Sequence, residues 1–233
     1  MPLGFSAPRS AVTIASMRIP LHPRLPVGPA RVLRRAVPFL LLASFIVVSG
    51  CQRLKPVDTT VFDRMGMGFS AIQALRGLHL DNNEVNQVVT AKQAGFSDDG
   101  CVALVRLARG RNEKFQTGED VGDLLKAGMS EPSILELAQL NVLGLWTGEA
   151  QTMRLAGLSD RIILEAAHRH AAGETVLSGA SLANFKNTGM SEAALLQLVR
   201  RGVSDSEAPT IIALRHRGWS DAMILRRYAG SAR

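Results

Sequence analysis

Gly95-Phe96-Ser97-Asp98, Gly128-Met129-Ser130-Glu131, Gly157-Leu158-Ser159-Asp160, Gly189-Met190-Ser191-Glu192 and Gly218-Trp219-Ser220-Asp221 are five copies of one tetrapeptide: glycine, apolar residue, serine, acid. Their glycines stand 33, 29, 32 and 29 residues apart, a period that marks a repeat array. Each position has a role in a joint between two helices. Glycine suits the left-handed position just past a helix end, and the apolar residue can fold back on the last turn. Serine caps the next helix by accepting from an orphan amide, a contact worth about 1 kcal/mol. The acid then sits at the positive end of the helix dipole.

The flanks agree. Four, five and eight residues after the serines stand Cys101/Val102/Val105, Ile134/Leu135/Ala138, Ile163/Leu164/Ala167, Leu195/Leu196/Val199 and Ile224/Leu225/Tyr228, one face of a helix. Four and seven residues before the glycines lie Ala91/Val88, Leu124/Val121, Met153/Ala150, Phe185/Leu182 and Leu214/Ile211. The expected fold is therefore all-α: about five αα-hairpin repeats of roughly 31 residues, stacked as a short solenoid or compact helical array over residues 81–233. Thr117, Thr147, Ser178 and Ser204 are expected to cap the first helices. Phe62, Met65, Phe69 and Ile72 mark an N-terminal capping helix within 61–80. Trp, Tyr and Pro do not recur at the places that tetratricopeptide or ankyrin repeats require.

The chain has 233 residues, 27 Lys plus Arg, 20 Asp plus Glu and a formal net charge of +7. Residues 1–50 supply +6 of it through Arg9, Arg18, Arg24, Arg31, Arg34 and Arg35, so the remainder is close to neutral. A strongly basic folded domain is excluded, and 46% hydrophobic residues argue against disorder. Residues 51–199 carry −3 and residues 200–233 carry +4, which makes the last hairpin arginine-rich.

The Arg31–Arg35 basic patch precedes an apolar run from Ala36 to Val48, then Ser49, Gly50 and Cys51. That order is the pattern of a secretory signal, and the run is shorter than the roughly 20 residues a membrane span needs. Val48-Ser49-Gly50-Cys51 resembles the lipobox of bacterial lipoproteins. The resemblance implies a signal peptide over 1–50, with Met17 an alternative start, and signal-peptidase recognition through Val48, Ser49 and Gly50. It also implies acylation of Cys51 and a tether over 51–60. Gln52 stands where an Asp favours inner-membrane retention in enterobacterial lipoproteins, so the outer membrane is the expected address. Two or three acyl chains anchor stably, at about 0.8 kcal/mol per buried methylene. The partners expected are thus the bilayer, through Cys51, and a protein of the envelope facing the periplasm.

The search for chemistry is sparse. None of the five serines has the second glycine of a nucleophile elbow. Cys101 falls in a column otherwise Ile, Ile, Leu, Ile, which predicts a buried apolar role. His168 and His170 are two apart and point to different helix faces. Asp81-Asn82-Asn83-Glu84 lacks the central glycine of a calcium loop and reads as a helix cap. No cofactor, metal or small-molecule ligand is implied. The expected contact surface comprises Trp146, partly exposed beside Thr147, with Arg200, Arg201, Arg215, Arg217, Arg226 and Arg227 at the basic end. The expected function is a non-catalytic interaction or scaffold domain on an envelope lipoprotein. The rivals are an envelope hydrolase acting on cell-wall material and, were the chain not exported, a helix-turn-helix array binding nucleic acid.

Overall fold

The five joint glycines all adopt positive φ, from +79° at Gly157 to +106° at Gly95, and each following serine is the N-cap of a helix. The structure is a computed structural model that describes residues 57–229. Among these residues it is all-helical, with twelve α-helices, a single 3-10 turn at Asp205–Glu207 and no strand. The helices are α1 (Thr60–Arg64), α2 (Phe69–Gly77), α3 (Asn82–Gln93), α4 (Asp98–Gly110), α5 (Gly118–Lys126) and α6 (Glu131–Gln139). They continue as α7 (Thr147–Leu155), α8 (Asp160–Ala171), α9 (Gly179–Asn187), α10 (Glu192–Arg200), α11 (Ala208–His216) and α12 (Asp221–Arg227).

The most extensive packing runs two helices along, although neighbours such as α3 and α4 or α7 and α8 also touch. α2, α4, α6, α8, α10 and α12 contact one another in succession, and so do α3, α5, α7, α9 and α11. The apolar columns explain this. Val88, Val121, Ala150, Leu182 and Ile211 from one set are all buried, as are Cys101, Ile134, Ile163, Leu195 and Ile224 from the other. They meet in one continuous hydrophobic core, because no single hairpin can cover its own apolar face.

A second column of left-handed residues ends the even-numbered helices: His79 (φ +50°), Asn112 (+58°), Asn141 (+59°), Gly173 (+72°) and Gly202 (+65°). Each lies 16 residues before a joint glycine. Asn and His tolerate this region better than most side chains, so the column is a real period that glycine-spotting misses.

The stretch from left-handed joint residue to left-handed joint residue alternates in length, and the helices alternate with it. α2, α6 and α10 have 9 residues, whereas α4 has 13 and α8 has 12. The difference is about one helical turn.

Two expectations need correction. Residues 61–80 form two helices, not one capping helix. The break falls at Gly66 (φ +70°), and Phe69 opens α2 75% exposed while Phe62 and Ile72 are buried. Thr147 is the first residue of α7 rather than its cap, and its hydroxyl accepts from the Gly144 amide at 3.0 Å. Thr117 stands at the N-cap of α5 without a side-chain capping bond, while Ser178 caps α9 by accepting from Ser181. Ser204 and Glu207 form a capping box at the 3-10 turn, as Asp81 and Glu84 do at the start of α3.

Candidate interaction surface

The tetrapeptide acids reach beyond their own helices. Asp98 Oδ2 accepts from the Gly68 amide at 2.7 Å, and Glu131 accepts from the Ser97 amide at 3.0 Å and from the Ser97 hydroxyl. Asp160 Oδ2 accepts from the Ser130 amide at 3.0 Å and the Ser130 hydroxyl at 2.6 Å. Ser159 interacts with Glu192 in the same register, and the Ser191 amide donates to Asp221 Oδ2 at 3.0 Å. Each acid therefore satisfies the orphan N-terminus of the helix before it in its layer. Ser97, Ser191 and Ser220 also cap their own helices, but Ser130 gives its hydroxyl to the neighbour instead.

A cation six residues earlier holds four of the acids: Lys92–Asp98 at 2.6 Å, Arg154–Asp160 at 3.7 Å, Lys186–Glu192 at 3.4 Å and Arg215–Asp221 at 3.1 Å. Lys92 and the Gly68 amide keep the Asp98 carboxyl below the usual range. At Asp160 burial pushes the value up, but the Ser130 hydrogen bonds and Arg154 outweigh it and the net direction is down. Arg154 also donates to the Gly128 carbonyl at 2.9 Å, and Arg215 to the Gly189 carbonyl at 2.6 Å, where helix C-termini favour cations.

This network divides the arginines expected at a contact surface. Arg215 is committed to Asp221 and Gly189, and Arg201 donates to the Leu225 carbonyl. Arg200 pairs with Glu165 at 3.0 Å. Arg217, Arg226 and Arg227 are exposed and carry no ion pair among the described residues. Trp146 is 6% exposed rather than partly open, and its ring stacks on His170 with centroids 5.9 Å apart. It packs the core, and the exposed neighbour is Leu145, at 99%. Cys51, Val48, Ser49 and Gly50 lie outside the described residues.

Cys101 is fully buried, and burial pushes its thiol up to about 12, so no thiolate is available. Glu84 is the buried carboxylate that sequence reading did not single out as such. Its oxygens accept from Arg109 at 2.7 Å, from the Phe115 amide at 3.0 Å and from the Asp81 amide at 3.1 Å. Both oxygens are engaged, which suits a clamp joining α3, α4 and the loop after α4. Among the described residues no three His, Cys, Asp or Glu side chains are grouped to hold a metal ion.

A groove of about 1170 Å³ lies over the short helix α6. Leu107 and Arg106 of α4 form one wall, Leu135 and Leu140 line the floor, and His168 of α8 reaches in from the far side. It exists because α4 and α8 are each about a turn longer than α6. His168 Nε2 lies 2.6 Å from Glu136 Oε1 across this gap.

No protein family, curated protein or solved structure matches the chain. What the geometry of the described residues offers is a helical support with an apolar groove and a basic edge.

Proposed function

We propose that the chain is an envelope lipoprotein, anchored through acylated Cys51, whose helical repeats form a non-catalytic interaction or scaffold surface facing the periplasm. The observation that carries this reading is the ordered signal: Arg31, Arg34 and Arg35, the apolar run to Val48, then Ser49, Gly50 and Cys51. Exported, near-neutral repeat arrays serve as surfaces for partners. The three hydrogen bonds to Glu84, the buried thiol of Cys101 and the joint serines' use as caps and linkers leave these groups with structural work.

The finer architecture belongs to the same proposal. The hairpins over 81–233 are five repeats of about 31 residues wound as a short solenoid. Gly66-Met67-Gly68-Phe69 is a degenerate sixth joint at the N-terminal cap. Its support is that Gly66 is left-handed, lies 29 residues before Gly95, and is followed by Gly68, whose amide takes Asp98 as the serine amides take later acids.

Metabolic labelling with a radioactive fatty acid, in cells producing the full chain or its Cys51→Ser variant, tests the anchor. Label on the wild type and none on the variant is the expected result. An unlabelled wild type overturns it.

A further inference from the structure

The groove over α6 and the turn before α7 are complementary features of one chain. On the even-numbered layer, two successive steps pair the residue six past one N-cap with the residue nine past the next, Glu136–His168 and Glu165–Arg200. The corresponding positions of the step that ends at Arg106 hold Ala74 and Arg106, with no carboxylate between them. Arg106 is exposed on the groove wall with no ion pair among the described residues, beside half-buried Leu107, Leu135 and Leu140.

The turn from Val142 to Trp146 has the opposite character. Val142 and Trp146 are buried, the Trp146 amide donates to the Val142 carbonyl at 3.1 Å, and the Gly144 amide donates to Thr147 Oγ1 at 3.0 Å. Thr147 in turn hydrogen-bonds Asp120, which brings the acidic first turn of α5, with exposed Glu119, against the same turn. Leu145 is thus displayed at 99% exposure on a braced loop. The braced backbone lowers the entropy lost on docking, although the Leu145 side chain itself must still be ordered.

We infer that the groove between α4 and α8 receives a second copy of this chain, with Leu145 of one molecule seated on Leu107 and Leu135 of another and the acidic start of α5 facing Arg106. The two surfaces differ, so the contact is heterologous unless a two-fold axis uses it twice. This inference deepens the scaffold reading by naming a partner for the surface, and it rests on that reading.

The test uses two differently tagged full-length copies produced together, one Leu145→Cys and the other Leu107→Cys. Mild oxidation should link the two tags in one disulfide dimer. Replacing Leu107→Cys by Met223→Cys, an exposed site on α12, should not, and Cys51 is common to both arms. Adding Arg106→Glu should lower the cross-link about tenfold, equivalent to roughly 1.4 kcal/mol, with circular dichroism confirming an unchanged helical signal. Equal yields at Leu107 and Met223, no cross-link, or a Leu107→Cys adduct to a different polypeptide would each overturn the inference. Fatty-acid labelling of the same cells separates the two claims. Label without cross-link leaves the anchor standing, whereas cross-link without label leaves only the self-contact.

Discussion

Asp160 gives one carboxylate oxygen to both the amide and the hydroxyl of Ser130, thirty residues earlier in the chain. The Asp160 side chain is half-buried, and the contact is charge-assisted and backed by Arg154. Asp160→Ala should therefore cost about 2 kcal/mol, read as a lower denaturant midpoint. The acids also set a pH response. At Asp98 the hydrogen bonds from Lys92 and the Gly68 amide outweigh burial. Burial pushes Asp160, Glu192 and Asp205 up, but hydrogen bonds, joined by a neighbouring cation at the first two, outweigh it, and all four lie below their ordinary values. A carboxyl with a depressed folded value stabilises the fold above the unfolded value, about 4, and loses that contribution as pH falls through the folded one. Thermal midpoints should stay flat from pH 7 to about 5 and fall steeply below about 4. Asp160→Ala should make that fall shallower, and a steeper fall in the variant would refute the account. Asp120 works in the other sense, since burial raises its carboxyl and ionisation at neutral pH opposes folding.

The elements are spaced by contacts that only some side chains permit. Gly118, the first residue of α5, has its amide 2.7 Å from Gln87 Oε1, and a Cβ there would collide with the backbone carbonyl of Gln87 in α3. Backbone cannot move aside as a flexible side chain can. Gly118→Ala should cost about 1–3 kcal/mol by overpacking. Gly148 occupies the second position of α7 with open space around its missing Cβ, so Gly148→Ala should be neutral or stabilise by about 0.5 kcal/mol. Urea unfolding of the pair checks both. Equal effects would mean that α5 does not lie this close to α3.

At the scale of the molecule, stability is a chain of neighbour contacts. Removing residues 204–233 deletes α11 and α12, and with them the acids that hold Ser178 and Ser191. The contacts of Arg201 with Leu225 and of Arg215 with Gly189 go too, while the links within α2–α10 remain. The truncated chain should retain helical signal in proportion to its length, with a lower midpoint and a smaller denaturant slope. Loss of all helical signal would show that the array folds only as a whole. The two ends also differ for one reason. An acid in the first turn serves the preceding helix of its layer, and α2 has none before it. Phe69 occupies that position and is exposed.

The joint tetrapeptides determined the helical class and the five joints, and their flanking residues determined both buried columns. Left-handed glycine, N-cap serine and helical periodicity are local physics, and local physics is written in adjacent residues. The second left-handed column was hidden because His79, Asn112 and Asn141 fill it in place of glycine. Trp146 read as a contact residue because a sequence shows what stands beside it but not the His170 ring that covers it. Only the tertiary structure decided that the acids bridge neighbouring helices, that Arg201 and Arg215 are tied down, and that α6 is the floor of a groove. Each of these depends on residues about 25 to 35 positions apart being brought within hydrogen-bonding or packing distance, which the stacking of alternate helices alone accomplishes.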